Sequence, residues 1–358
     1  MTAPRLEVDL VKLGHNARTL VARLGQRGIA VTAVTKGTLG CAAIAHELVR
    51  AGVAGLGDSR IENIEALREA GVTAPITLIR SPMLSQVDRV VAHADVSANT
   101  ESAVLRRLSA AAVTQGRLHG VLLMVESGDL REGILPPDLA GVVDEVHRLP
   151  GLRLDGVGTN LACQSGVVPS GRNMGDLSHL VATVETATGV DIDRVSGGNS
   201  ANLEWAFGAT DVGRVNDLRL GEAILLGREA LHRRPVDGLH TDAFTLVAEV
   251  IEAQVKPSLP WGAIAQNAFG ETVAVRDRGE VRQAILALGR QDVDTGGLVP
   301  PVGIEILGAS SDHLVLDTGT LDLPVGAEVR FGVDYTALLG AMTSPFVAEV
   351  VLDAQTCS

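Results

Sequence analysis

Between residues 30 and 227, short β-branched or apolar runs alternate with longer segments of helical period, and this alternation limits the folds open to the chain more than any other feature. "AVTAVT" gives way to "AAIAHELVRAG", "GLGDS" to "RIENIEALREAG", and "PITLIR" to "SQVDRVVAHA". Further runs follow at "DVSAN", "VLLMVES", "LDGVGTN", "DRVSGG" and "DLRLGEA", each but the last leading into another helical candidate. A strand followed by a helix returns to its own sheet by a right-handed crossover, so repetition builds a parallel sheet. Eight such units in about 200 residues fit a closed (β/α)8 TIM barrel better than an open doubly wound sheet, which holds about five or six strands.

After "GREALHRRPVDGLH" the texture changes to strands without intervening helices: "DAFTLVAEVIEAQV", "RQAILALG", "VGIEILGA", "DHLVLDTG" and "GAEVRFGV", with Gly, Pro and Asp turns between them. The expected organisation is a barrel over residues 11–230 followed by a C-terminal all-β domain over 235–358. The opening "PRLEVDL", within residues 1–10, has no place in the barrel and is expected to add a strand to the second domain.

A formal charge of -13 disfavours a nucleic-acid partner, because such binding draws its affinity from neutralising phosphates. Apolar runs such as "GVLLMV" fall far short of the ~18 residues that cross a bilayer, and "MTAPRLEVDL" lacks a signal peptide's basic start, so no membrane partner is expected. Cys41, Cys163 and Cys357 are an odd number without metal-ligand spacing, which points to reduced thiols, no metal and a cytoplasmic location.

Of 30 basic residues only Lys12, Lys36 and Lys256 are lysines. Lys36 closes "AVTAVTK" at the carboxyl end of the first barrel strand, where such barrels keep their active sites. An arginine cannot lose its proton in a protein, whereas an enclosed lysine can, and it then becomes an amine nucleophile. The competing reading is a surface lysine. Lys12 opens a helix and Lys256 precedes a proline, so both are expected to be exposed.

The seventh run leads into "GGNSANL" and the eighth into "RLGEA". Loops after strands seven and eight of such barrels commonly bind phosphate, and Gly, Asn and Ser let backbone N–H groups face an anion. Alone, "GGNS" reads equally as a turn with a capping serine; paired with "RLGEA" it reads as a phosphate cradle. A lysine at strand one, a phosphate cradle at strands seven and eight, and Arg219 at the end of strand eight together point to pyridoxal 5'-phosphate.

These residues resemble the fold type III pyridoxal-phosphate enzymes, and within them the alanine/ornithine racemase family. The matching stretches span the chain: "VTKGTLG", "GDSRIENIEALREAG", "ESGDLREGI", "GVGTNLAC", "SGGNSANL", "LRLGEAILLGRE", "ALGRQDVD", "EILGASSDHL" and "MTSPFV". The resemblance implies Lys36 as the Schiff-base lysine and proton carrier on one face of the cofactor. It implies Asn199 and Ser200 with the backbone N–H groups of Gly221 and Glu222 at the phosphate, and Arg219 at the ring nitrogen. Arg131 would lie near the cofactor phenolate and the substrate carboxylate. Ser311 and Asp312 would supply a substrate-binding turn that reaches the partner's site in a head-to-tail homodimer.

Three departures from alanine racemase stand out. Gly40 replaces a tyrosine that helps hold the phosphate, and Asn160 replaces a histidine stacked on the ring, leaving at most a polar contact. The partner's tyrosine base should fall near "GAIAQNAFG", where the chain offers Asn267; its only tyrosine is Tyr335.

The expected activity is amino-acid racemisation by removal and return of the α-proton, on alanine or on a basic amino acid such as ornithine or lysine. Glu126, Asp129, Asp292 and Asp312 are candidate partners for a side-chain ammonium, with a structural role open for each; Asp292 in "GRQDVD" could simply cap a turn. Asp312, His313 and Tyr335 are the candidates for the second proton-transfer group. The alternatives are a fold type III decarboxylase or D-amino-acid lyase, and a single-barrel cofactor-binding protein without catalysis; the β domain argues against the last.

Overall fold

A computed structural model describes residues 2–272 and 276–353. The chain divides into two compact units, Leu10–Thr241 and Met1–Asp9 with Asp242–Ser358. Its strands begin with β1 (Arg5–Asp9), which belongs to the second unit. The first unit holds β2 (Ala30–Val34), β3 (Gly55–Asp58), β4 (Ile76–Leu78), β5 (Val96–Asn99), β6 (His119–Val125), β7 (Leu152–Thr159), β8 (Val195–Ser196) and β9 (Asp217–Leu220). These eight pair in parallel and close on themselves as the expected (β/α)8 barrel. Each coincides with one of the eight apolar runs. The eighth strand is also followed by a helix, Glu222–Leu226, which five residues of sequence were too few to announce by periodicity.

The outer helices follow their sequence period. In Leu10–Gly25 the buried Leu13, Ala17, Leu20 and Leu24 recur every three or four residues and make one apolar stripe. The barrel strands themselves depart from the usual filling of branched apolar side chains. Thr32, Ser97, His119, Thr159, Ser196, Asp217 and Arg219 are all buried on these strands. Burying such groups is unfavourable unless they find partners, and they bond to one another: the Ser97 hydroxyl, for example, lies 2.8 Å from His119 Nε2.

The second unit is an antiparallel sheet in the order β12-β15-β10-β11-β14-β13. Its strands are β10 (Phe244–Pro257), β11 (Glu280–Leu286), β12 (Leu298–Val299), β13 (Glu305–Ala309), β14 (Leu314–Asp317), β15 (Glu328–Val333) and β16 (Ala348–Leu352). β1 joins it, antiparallel to β10 and parallel to β16. Leu6, Val8, Phe244, Leu246, Leu286, Leu316 and Phe331 are among its buried side chains.

The expectation of strands without helices fails at Tyr335–Thr343, a helix. Asp334 caps it, its side chain accepting from the N–H groups of Thr336 and Ala337, and this acidic cap was the signal to read. Lys12 and Lys256 are half-buried rather than exposed, Lys256 being paired with Glu252. Among the described residues no helix is long and apolar enough to cross a membrane.

His119 makes the barrel acid-sensitive. Burial pushes its imidazole down to about 4 from an ordinary 6.5. An unfolded chain therefore binds this proton below pH 6.5 while the folded one resists until about pH 4, so stability falls as pH drops through that window, by roughly 3 kcal/mol in all. Denaturant unfolding at pH 7 and pH 4.5 should show a loss roughly 2 kcal/mol smaller in His119→Gln than in the wild type; equal losses would contradict the assignment.

Candidate active site

Lys36 follows β2 and opens a tight turn, Lys36–Thr38, at the carboxyl end of the barrel. The neighbouring strand holds that turn in place. Thr35 donates its hydroxyl proton to Asp58 Oδ2 at 2.7 Å, and Asp58 Oδ1 accepts from the N–H of Arg60 at 2.9 Å and from Asn63 Nδ2 at 3.0 Å. Burial raises the Asp58 carboxyl above its ordinary range, against the pull of those bonds. The chain then leaves the turn through two left-handed residues, Leu39 at φ 49° and Gly40 at φ 67°. A Cβ on Gly40 would lie 2.9 Å from both Cβ and the carbonyl oxygen of Asn63. The backbone thus passes so close to Asn63 that a side chain at position 40 would force one of the two to shift.

β9 lies beside β2, Ala33 pairing with Leu220, so the loop after β9 opens next to the lysine turn. That loop begins at Gly221, where a Cβ would come within 3.3 Å of Val34 Cβ. Ser200 is buried, and its Oγ accepts from the N–H of Ala223 at 3.1 Å, which sets its hydroxyl against the start of Glu222–Leu226. The loops after β8 and β9 are thereby joined. The Glu222 carboxylate turns away to Arg233 at 2.6 Å. Asn199 caps the short turn Ser200–Asn202 and donates to Asn160 Oδ1 at 3.0 Å and to the Leu161 carbonyl at 2.8 Å. Asn160 Nδ2 is buried with no hydrogen-bond partner among the described residues.

Arg219 is buried, and two of its N–H groups are committed: Nη2 donates to the Thr159 carbonyl at 2.7 Å and Nη1 to Ser196 Oγ at 2.5 Å. Burial pushes its guanidinium down from the ordinary value; Asp217, Glu132 and Cys163 push it back up. Glu132 and Cys163 also hold the Arg131 guanidinium up, Glu132 by a two-pronged bond. Arg131, Glu132, Cys163 and Arg219 therefore lie near one another, and Asn199 Nδ2 donates to Cys163 Sγ at 3.5 Å.

Of the carboxylates considered for a side-chain ammonium, three are bound to the backbone. Asp129 accepts from the N–H groups of Cys163, Gln164, Ser165 and Val167, bonds that outweigh its burial and hold its carboxyl below the usual range. Glu126 Oε1 accepts from the N–H groups of Gly128 and Leu130. Asp292 caps a turn, taking the N–H of Gly289 at 2.7 Å.

Ser311, Asp312 and Tyr335 belong to the second unit. The first two form the hairpin turn between β13 and β14, where Arg290 N–H donates to the Ser310 carbonyl at 2.9 Å and Gln291 N–H to that of Ser311 at 3.0 Å. His313 Nδ1 lies 2.9 Å from Asp312 Oδ1, and with Ser310 it holds the Asp312 carboxyl below its ordinary range. Tyr335 is the first residue of its helix. Asn267 forms a turn, its Oδ1 accepting from the N–H groups of Phe269 and Glu271.

Sequence reasoning missed Asp58, Glu132, Ser196 and Asp217. Only Asp217 carried a signal: in "DLR" it stands two residues before Arg219, and strand alternation puts the two on one face.

Residues 8–229 match the family model "Alanine racemase, N-terminal domain". The chain belongs to the alanine racemase family, the fold type III pyridoxal-phosphate enzymes. It is 39% identical to a lysine racemase of Thermotoga maritima over 98% of this chain and 99% of that one. It is 36% identical to an ornithine racemase of Acetoanaerobium sticklandii, again over 98% and 99%. The fold agrees with that of the alanine racemase from D-cycloserine-producing Streptomyces lavendulae, at a TM-score of 0.76 and 21% identity over 99% of this chain and 98% of that one. The barrel with a C-terminal β domain and the amino-acid racemase reading both hold; the decarboxylase, lyase and non-catalytic alternatives are not favoured.

The close approach at Gly40 generates a stability test. Gly40→Ala forces a side chain into a left-handed conformation and against Asn63, and should cost roughly 1–3 kcal/mol in denaturant unfolding. A cost below about 0.5 kcal/mol would show that the turn does not depend on this contact.

Proposed function

We propose that this protein interconverts the enantiomers of a basic amino acid, lysine or ornithine, with pyridoxal 5'-phosphate bound at the carboxyl end of the barrel. The observation that carries the substrate class is one of extent. The likeness to the lysine and ornithine racemases runs the length of both chains, whereas an alanine racemase of Sorangium cellulosum, 31% identical, is matched over 46% of this chain.

The residues present fit the cofactor. A buried amide donor, Asn160 Nδ2, has no partner among the described residues, and it adjoins the loop where Ser200 meets the start of Glu222–Leu226. Lys36 would hold the cofactor, Ser200 and the N–H groups of Gly221 and Glu222 its phosphate, and Arg219 its ring nitrogen. Asn199 keeps the cradle in shape. When bound, pyridoxal phosphate supplies an electron sink that makes the α-proton of an attached amino acid removable. Lys36 carries that proton on one face. Arg219 donates hydrogen bonds without giving up a proton, which favours simple proton return over side reactions.

Arg131 would bind the substrate carboxylate. In doing so it releases Glu132, which now spends both carboxylate oxygens on Arg131, to face the side-chain ammonium. This exchange of partners suits a substrate with one anionic and one cationic end.

The second proton-transfer group would come from a partner copy in a head-to-tail homodimer, with Ser311 and Asp312 binding substrate. Asp312, held ionised by His313 and Ser310, suits binding better than proton donation, which leaves Tyr335 or His313 for the proton. Exposed apolar side chains on the second unit, Trp261 at 85% and Ile264 at 65%, are in keeping with a surface that a partner covers. Cys163 is a free thiol, as in a cytoplasmic protein; Cys357 lies outside the described residues. No nucleic acid or membrane enters this reading.

The test is to incubate the purified holoprotein with single L-amino acids and resolve the products by chiral chromatography. D-Lysine or D-ornithine should form with a kcat/KM at least about tenfold above that for alanine, and Glu132→Gln should erase most of that preference. A decarboxylated amine as the main product, or alanine as the preferred substrate, would overturn the proposal.

A further inference from the structure

We infer that Ser196 and Asp217 act together as a positioning device for Arg219, fixing the plane and the charge of the guanidinium that the ring nitrogen of the cofactor meets. The inference rests on the cofactor reading above and adds to it two residues on the barrel's inner strands.

The direction of the hydrogen bonds follows from the chemistry of the groups. A guanidinium can only donate, so Ser196 Oγ must be the acceptor in its 2.5 Å contact with Arg219 Nη1. The single hydroxyl proton of Ser196 is then committed to Asp217 Oδ2, its other partner. The other carboxylate oxygen of Asp217 takes the hydroxyl proton of Thr32 at 2.6 Å, and Thr32 in turn accepts from Arg194 Nη2 at 3.0 Å. Arg194 also pairs with Asp217 at 3.2 Å and with Asp155 at 3.0 Å. Both hydroxyls of this set donate to Asp217, and the Asp217 and Asp155 carboxylates face the Arg194 guanidinium, Asp155 being shared with Arg153 at 2.7 Å.

That arrangement answers two demands on Arg219. A fully buried guanidinium needs a counter-charge, and Asp217, two residues earlier on the same face of β9, provides one through a single hydroxyl. Its orientation needs two fixed points, and Nη1 on Ser196 with Nη2 on the Thr159 carbonyl supply them from β8 and β7.

The distinguishing experiment is a binding titration. Full-length protein stripped of cofactor is titrated with pyridoxal phosphate and with its analogue in which a carbon replaces the ring nitrogen. The wild type should bind the natural cofactor at least about tenfold more tightly, as expected for a hydrogen bond to a charged donor. Ser196→Ala and Asp217→Asn should reduce that ratio to about twofold or less, and Ser196→Thr, which keeps the hydroxyl, should retain it. Should Asp217→Asn fail to fold, as judged by circular dichroism, the pair Ser196→Ala and Ser196→Thr decides the matter. Affinities that fall in parallel with the ratio intact, as a purely structural role demands, overturn the inference. So does a wild type that binds both forms equally. A wild type that binds neither overturns the cofactor reading itself, and the inference with it.

Discussion

A full positive charge inside a closed barrel is the constraint on which much of this molecule turns. Arg219 is buried, and its charge must be balanced where no water reaches it. Asp217 balances it through Ser196; Arg194 and Thr32 then satisfy Asp217; Asp155 satisfies Arg194. Each link is forced by the one before. The interior of the barrel is accordingly polar where barrels of this kind are ordinarily filled with Val, Ile and Leu. Replacing one member strands the next, so the set is held together more by the cost of an unpaired charge than by any single bond.

The lysine end of the site depends on a different physics, that of close approach. Lys36 has no long helix to fix it; its turn is held by Thr35 bonded to Asp58 and by Gly40 pressed against Asn63. Asn63 serves both contacts, so the strand β3 and the helix after it, Ile61–Glu69, set where the lysine begins. The chain can place a small, mobile amine at a defined point because the backbone around it has no room to move.

The barrel was legible from its sequence because each strand is a short apolar run bounded by a helix of clear period, as "AVTAVT" and "AAIAHELVRAG" show. The helix Tyr335–Thr343 escaped because "YTALLGAMT" is apolar around most of its circumference, with no polar face to reveal a period. Lys36, Ser200 and Arg219 stood out as candidates because they lie at or just after the carboxyl ends of barrel strands, where such barrels do chemistry. Asp129 and Asp292 were offered as ammonium partners because a sequence shows a carboxylate's charge but not the backbone N–H groups that surround it. Ser196 was invisible for a similar reason: a serine in a strand carries no mark of the arginine on the neighbouring strand to which it is bonded.

Lys36 as the residue that holds the cofactor is the central claim, and the scarcity of lysine makes it unusually open to test. Only Lys12 and Lys256 could compete for the same chemistry. Reduction of the holoprotein with borohydride, followed by proteolysis and mass spectrometry, should find the cofactor fixed to the peptide that contains Lys36, and no labelling in Lys36→Ala. Label on Lys12 or Lys256, or labelling undiminished in Lys36→Ala, would contradict the account.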